Sequence, residues 1–155
     1  MDRLTAAMAQ ITCVPAEVQT NIRKIEATCD EAAKKDVKLV VFPEVALTGS
    51  LQRLPDGRKP HDYATRVPGR ETERLHKTCQ KLDIAIIVGT VEADHEGNLY
   101  KTAFLVTPDG YLGRFRKVQP SPGERDIVAP GSELPLFRIF GWTFGIGICW
   151  DLYFP

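Results

Sequence analysis

The segment Gly141-Trp-Thr-Phe-Gly-Ile-Gly-Ile-Cys149-Trp-Asp-Leu-Tyr-Phe-Pro155 is the most informative stretch of this sequence. An apolar run interrupted by glycines ends at a single cysteine, and aromatic and polar residues follow at once. This pattern predicts a buried strand that delivers Cys149 to a tight turn, where the backbone N–H of Trp150 can face a reacting atom. Simple packing is the alternative, because free cysteines are among the most buried residues of proteins.

Length and composition indicate one modest globular domain of 155 residues. The formal net charge is zero, so we expect no nucleic-acid partner, and no apolar run approaches the ~20 residues of a membrane helix. The first ten residues contain an early acid and no apolar core, unlike a secretory signal. The four cysteines and three histidines are scattered, so we expect no metal site and a reduced, cytoplasmic setting.

The first half of the chain predicts a strand, a helix and a second strand. The first strand is expected at 4–12, and the apolar face of the helix includes Cys29. The helix should end near Asp36, since aspartate tolerates a left-handed conformation. The nearly continuous apolar run 37–42 predicts a strand buried on both faces, which Pro43 ends just before Glu44.

The second half predicts one more helix and several strands. A long loop rich in proline and glycine should cover 49–69, and a second one 118–132. Between and after these loops we expect a helix at 70–82, strands at 84–88, 100–106 and 111–116, and a last strand pair at 136–140 and 143–148. A hairpin turn is expected at 107–110. This alternation of strands and helices along the chain predicts a layered α/β architecture.

Three residues suited to one chemistry follow predicted strands: Glu44, Lys117 and Cys149. If the carboxyl ends of these strands share one edge, the side chains open onto one crevice. A carboxylate can then take the thiol proton, the thiolate can attack an electrophilic carbon, and the ammonium can balance the developing oxyanion. Taken singly, Glu44 also fits an ordinary polar turn and Lys117 a solvated basic face.

Motifs in the right order give these residues a family context. They are Phe42-Pro43-Glu44, Phe115-Arg116-Lys117 and Gly147-Ile-Cys149-Trp150-Asp151, supported by Ala9-Gln10, Asn21, Leu47-Thr-Gly49 and Pro130-Gly131. Together they resemble the nitrilase or carbon–nitrogen hydrolase superfamily along nearly the whole chain. Lys117 is followed by Val-Gln-Pro, where many members of that family have a His-Leu or similar pair, so the subfamily stays open.

The resemblance implies a general base at Glu44, an oxyanion-side lysine at Lys117 and a nucleophile at Cys149. It matches Glu124 to a second glutamate that positions substrate, although Glu124 also fits a surface acid, and it makes the Trp150 backbone an oxyanion donor. It further implies an α-β-β-α sandwich, homo-oligomers at full length and no cofactor.

The resemblance also implies that residues 1–155 are the amino-terminal part of one carbon–nitrogen hydrolase domain, incomplete at the carboxyl end. The expected activity is hydrolysis of a nonpeptide carbon–nitrogen bond in a small amide or N-carbamoyl compound, with a nitrile as the lesser alternative. The rivals are a non-catalytic binding protein with the same fold and an inert truncated fragment. We expect substitutions at Lys117 and Cys149 to change stability little.

Overall fold

A computed structural model describes residues 3–50 and 57–154 of the chain. Its main element is a five-stranded sheet in the order β1-β2-β3-β4-β5. The strands are β1 (Ala6–Met8), β2 (Leu39–Val41), β3 (Ala85–Ala93), β4 (Leu99–Thr107) and β5 (Gly110–Arg116). The first three strands are parallel, and β3, β4 and β5 are successive antiparallel neighbours.

Two helices, α1 (Val18–Ala33) and α2 (Arg70–Leu82), pack on one face of this sheet. Their apolar stripes, which include the fully buried Cys29 and Cys79, meet alternate residues of the central strands. Both helices are followed by aspartates in the left-handed region, Asp36 at φ 55° and Asp83 at φ 52°, as short polar side chains permit. None of the helices in the described parts is long and apolar enough to cross a lipid bilayer.

The opposite face of the sheet is covered by a second, two-stranded sheet of β6 (Phe137–Ile139) and β7 (Trp142–Phe144). Phe137 and Ile139 pack there against residues of the main sheet such as Leu105 and Phe115. The layers are therefore helix, sheet and sheet, as in an α-β-β-α sandwich that is incomplete within residues 3–50 and 57–154. The α/β prediction is confirmed.

The element boundaries differ from the predicted ones mainly at strand ends. The hairpin at 107–110 and the helix at 70–82 are confirmed. Strand β3 is longer than expected, since its last residues pair with the start of β4. The loop expected at 49–69 contains a 3₁₀ turn, Pro60–Asp62, and positions 51–56 of it lie outside the described residues.

The last strand is shorter than the sequence predicts. Strand β7 ends at Phe144 rather than at Ile148, and residues 145–148 have no strand partner among the described residues. Gly145 and Gly147 weaken strand structure here. Glycine loses more backbone entropy than other residues when it is ordered in a strand, and it has no side chain for packing. Cys149 therefore begins a 3₁₀ turn, Cys149–Tyr153, instead of ending a buried strand.

Candidate active site

Glu44 is placed by a close crossing of two backbones. Strand β2 ends before Pro43, and the chain then turns over strand β3 at Gly89, whose carbonyl accepts a hydrogen bond from Leu47 N–H at 3.0 Å. A Cβ on residue 89 would lie 2.0 Å from the carbonyl oxygen of Glu44. Only glycine leaves room for this crossing, which fixes Glu44 beside the end of the sheet.

Lys117 follows strand β5 and is almost completely buried. Its backbone N–H donates to the carbonyl of Lys101 at 2.8 Å, which continues the β4–β5 pairing by one residue. Its side chain is 1% exposed, and its Nζ lies 2.8 Å from Glu44 Oε1 and 2.9 Å from Glu124 Oε2. The solvated basic face considered for Lys117 is therefore wrong, and the residue lies in an ion-pair cluster.

Glu124 belongs to the same cluster, so the alternative of a surface acid is wrong for it as well. A turn in the loop after β5 buries the side chain, and its Oε2 accepts a hydrogen bond of 3.0 Å from Ser121 N–H. Burial alone would raise the pKa of Glu124. Hydrogen bonds from Lys101, Lys117 and Ser121 outweigh that effect and lower the pKa to about 2, so this carboxylate is ionised at neutral pH.

Lys101 is the member of the site that the sequence interpretation missed. Its Nζ lies 3.2 Å from Glu44 Oε1 and also pairs with Glu124 Oε1. It lies on β4 at the same side as Ala103 and Leu105, which face the second sheet. The available signal was a lysine that alternates with the apolar, inward-facing Ala103 and Leu105.

The four side chains form a closed ring of alternating charge, which we call the Glu–Lys cluster: Glu44, Lys101, Lys117 and Glu124. Burial alone would lower the pKa of Lys117, but its hydrogen bonds to the two glutamates outweigh burial and raise it. Both lysines donate to Glu44 Oε1, and within the described residues no hydrogen bond engages Glu44 Oε2. One carboxylate oxygen is therefore free to exchange a proton with a ligand or with water.

Cys149 is exposed and lies at a strained turn. Its φ of 48° is in the left-handed region, which costs a non-glycine residue of order 1–3 kcal/mol and is frequent at functional sites. Among the hydrogen bonds of the described residues, none joins its Sγ to the Glu–Lys cluster. Contact of Cys149 with Glu44 and Lys117 therefore stays a prediction.

Asp151 links the cysteine turn to the segment after Lys117. Its Oδ1 accepts from the backbone N–H groups of Val118 at 3.1 Å and Gln119 at 2.7 Å, and its Oδ2 accepts from Ile148 at 2.9 Å. These charge-assisted bonds hold the turn that begins at Cys149 against the chain next to the cluster. From sequence alone, Asp151 is one residue of a family motif with no role of its own.

Trp150 has the free backbone donor that its expected role requires. It lies in the first turn of a 3₁₀ segment, where N–H groups have no internal partner, and none of the described hydrogen bonds uses its N–H. Its indole packs against Tyr153 with ring centroids 5.0 Å apart.

The remaining cysteines lack the exposure of Cys149. Cys29 and Cys79 are fully buried, and desolvation raises the pKa of each thiol to about 12. Desolvation also raises the pKa of the half-buried Cys13, partly offset by Lys24. In residues 3–50 and 57–154, no three His, Cys, Asp or Glu side chains are grouped in a way that could hold a metal ion.

Comparison with known proteins identifies the family of this chain. The family model for carbon–nitrogen hydrolases matches residues 5–155. The chain belongs to the carbon–nitrogen hydrolase family. An aliphatic nitrilase of Sinorhizobium fredii (strain HH103) is 34% identical, over all of this chain and 55% of its own length. An omega-amidase, NIT2 of Xenopus tropicalis, is 28% identical, over 99% of this chain and 57% of its own.

A solved structure shows the shared fold. XC1258 from Xanthomonas campestris, a carbon–nitrogen hydrolase superfamily protein with an arsenic adduct in the active site, superimposes with a TM-score of 0.84 at 22% identity. The match covers the whole of this carbon–nitrogen hydrolase chain and 56% of that structure. The chain thus spans about half the length of the relatives it matches.

Proposed function

We propose that the protein is a thiol hydrolase that cleaves a nonpeptide carbon–nitrogen bond through an acyl-enzyme on Cys149. The observation that supports this most is the 2.8 Å contact of Lys117 Nζ with Glu44 Oε1 in a buried cluster. Asp151 anchors the turn that begins at Cys149 to the residues directly after this lysine. Base, cation and thiol are therefore carried by segments that touch one another.

In the first proposed half-reaction, Glu44 Oε2 takes the proton of the thiol while Sγ bonds to the substrate carbonyl carbon. The carbonyl electron pair moves to oxygen, where Lys117 and the N–H of Trp150 stabilise the negative charge. The carbon–nitrogen bond then breaks, and the leaving ammonia or amine takes the proton from Glu44. A thioester remains on Cys149.

In the second half-reaction, Glu44 takes a proton from water, and the oxygen attacks the thioester carbon. The carbon–sulfur bond breaks, and the proton returns to the thiolate. The sum is amide plus water giving carboxylic acid plus ammonia or amine. Glu124 bonds to Lys117 throughout and holds its ammonium in place.

The proposed substrate is a small amide or N-carbamoyl compound, or a nitrile. Both an omega-amidase and an aliphatic nitrilase are among the similar proteins, and this supports testing both classes. A panel of such compounds should release ammonia with the protein at its natural length. Mass spectrometry of the quenched reaction should show the acyl adduct on the peptide containing Cys149. Ligand binding without an adduct or ammonia release would favour the rival non-catalytic binding protein.

The remaining rival is an inert fragment. A cooperative thermal transition of residues 1–155 together with hydrolysis that Cys149→Ala abolishes would exclude it.

We also propose a homo-oligomer in the cytoplasm. Large apolar side chains that are more than 70% exposed support association: Met8, Leu134, Leu136, Leu152 and Tyr153. The four free thiols suit a reducing compartment. Analytical ultracentrifugation of the natural-length protein and cell fractionation test the two statements separately.

A further inference from the structure

Lys101 is the one charged member of the Glu–Lys cluster to which the proposed mechanism assigns no task. Its side chain is 8% exposed, and it contacts both glutamates. With Glu44, Glu124 and Lys117 alone, the cluster would hold two carboxylates and one ammonium. Its formal charge would be −1 instead of zero.

We propose that Lys101 is a positioning residue that holds Glu44 and Glu124 together and makes the Glu–Lys cluster electrically neutral. The inference rests on the proposed function, since it concerns the charge that Cys149 and its ligands meet. Catalysis by a thiol creates negative charge twice, first on sulfur and then on the substrate oxygen. A net negative cluster beside these atoms would oppose both, whereas a neutral cluster does not.

The geometry also orients Glu44. Both lysines donate to the same oxygen, Oε1, at 2.8 and 3.2 Å, which leaves Oε2 for proton transfer. With Lys117 alone, the carboxylate could rotate about a single contact. Two donors anchored on neighbouring strands, β4 and the end of β5, fix the oxygen that stays free.

The experiment measures the local charge at Cys149 directly. Iodoacetamide is neutral and iodoacetate is an anion, and both alkylate the thiolate. The ratio of their rate constants at Cys149 therefore cancels the thiolate fraction and reports the electrostatic potential at the sulfur. Peptide mass spectrometry distinguishes the two products. The ratio is measured at one pH and low salt, in the protein at its natural length.

A charge series tests the role of Lys101. Lys101→Gln gives the cluster a charge of −1, Glu124→Gln gives +1, and the double variant is neutral again. We expect the iodoacetate-to-iodoacetamide ratio to fall roughly three- to tenfold in the first and rise similarly in the second, because a unit charge near the sulfur repels or attracts the anionic reagent. The double variant should return to the wild-type ratio, and salt should reduce the differences.

Lys38→Gln is the matched control, because Lys38 pairs with Asp83 at the surface and should leave the ratio unchanged. If Lys101→Gln does not fold, Glu124→Gln can still be compared with the double variant. These two proteins differ only in the charge of residue 101. An unchanged ratio across the series, with Cys149 alkylated, would overturn this inference alone. A wild-type Cys149 that resists alkylation would overturn the proposed function as well.

Discussion

The carboxylate of Asp151 accepts a hydrogen bond of 2.7 Å from the backbone N–H of Gln119, which ties the turn that begins at Cys149 to the segment after Lys117. We therefore predict that Asp151→Ala lowers kcat by about 10- to 100-fold, because small misplacements of reacting groups have effects of this size. Steady-state kinetics check it. Asp126→Ala removes an exposed acid of the nearby loop and should keep full activity. Equal kcat in both variants would contradict a role for this contact.

Gly89→Ala should disrupt the site from a distance. The added Cβ would meet the carbonyl oxygen of Glu44 at 2.0 Å, so the backbone that carries the base must shift. We expect loss of most activity and lower stability, measured by ammonia release and thermal unfolding. Gly145→Ala is the control, because its Cβ would meet its nearest neighbour at an ordinary 3.8 Å. A fully active Gly89→Ala protein would show that Glu44 tolerates displacement.

Cys149 should be the first cysteine that iodoacetamide labels. It is exposed, whereas burial raises the pKa of Cys29 and Cys79 to about 12 and leaves little reactive thiolate at neutral pH. Mass mapping after a brief treatment of the natural-length protein gives the order. Faster labelling of Cys13, the half-buried thiol, would argue against Cys149 as the nucleophile.

Cys149→Ala and Lys117→Ala should both abolish turnover but differ in stability. Loss of a group that acts in a unit typically lowers the rate by several orders of magnitude. Cys149 is exposed, so its replacement should hardly change the free energy of unfolding. Lys117→Ala leaves the buried Glu124 and the partly buried Glu44 with one cation fewer and should destabilise by about 3–5 kcal/mol. For Lys117, this prediction from its burial replaces the expectation from sequence that both changes are mild. Urea unfolding separates the two, and equal stability would refute the buried-pair argument.

Glu124 should make the folded protein less stable at acidic pH. Its pKa is about 2 in the folded protein against an ordinary value of 4.5. A depressed pKa gives stability that is present above the unfolded value and is lost as pH falls from 4.5 toward 2. The contribution at neutral pH is about 3 kcal/mol, since a tenfold change in acidity corresponds to 1.36 kcal/mol.

Urea unfolding of wild type and Glu124→Gln at pH 6 and pH 2.5 tests this contribution. The wild-type free energy of unfolding should fall more than that of the variant. Glu133→Gln, which alters an exposed glutamate, should behave like wild type. If the free energy of unfolding falls equally in all three proteins, protonation of Glu124 does not cause the loss of stability.

The sequence predicted the elements more reliably than their ends. The helix at 70–82 and the hairpin at 107–110 were found because periodicity and turn residues are local signals. The last strand was placed too far, to Ile148, because apolar residues and glycines do not reveal whether a partner strand is present. Lys101 was missed because the role of a lysine in a strand cannot be inferred before its neighbours in the fold are known.

By itself, the sequence determined the layered α/β class, the family motifs and the order of Glu44, Lys117 and Cys149, because these depend on short-range pattern and residue type. Tertiary structure alone decided that Lys101 and Glu124 close a ring with Glu44 and Lys117 and that Asp151 anchors the cysteine turn. The paired lysine and glutamate of the candidate site are 73 positions apart, and their 2.8 Å contact exists only after β2, β3, β4 and β5 have aligned in one sheet.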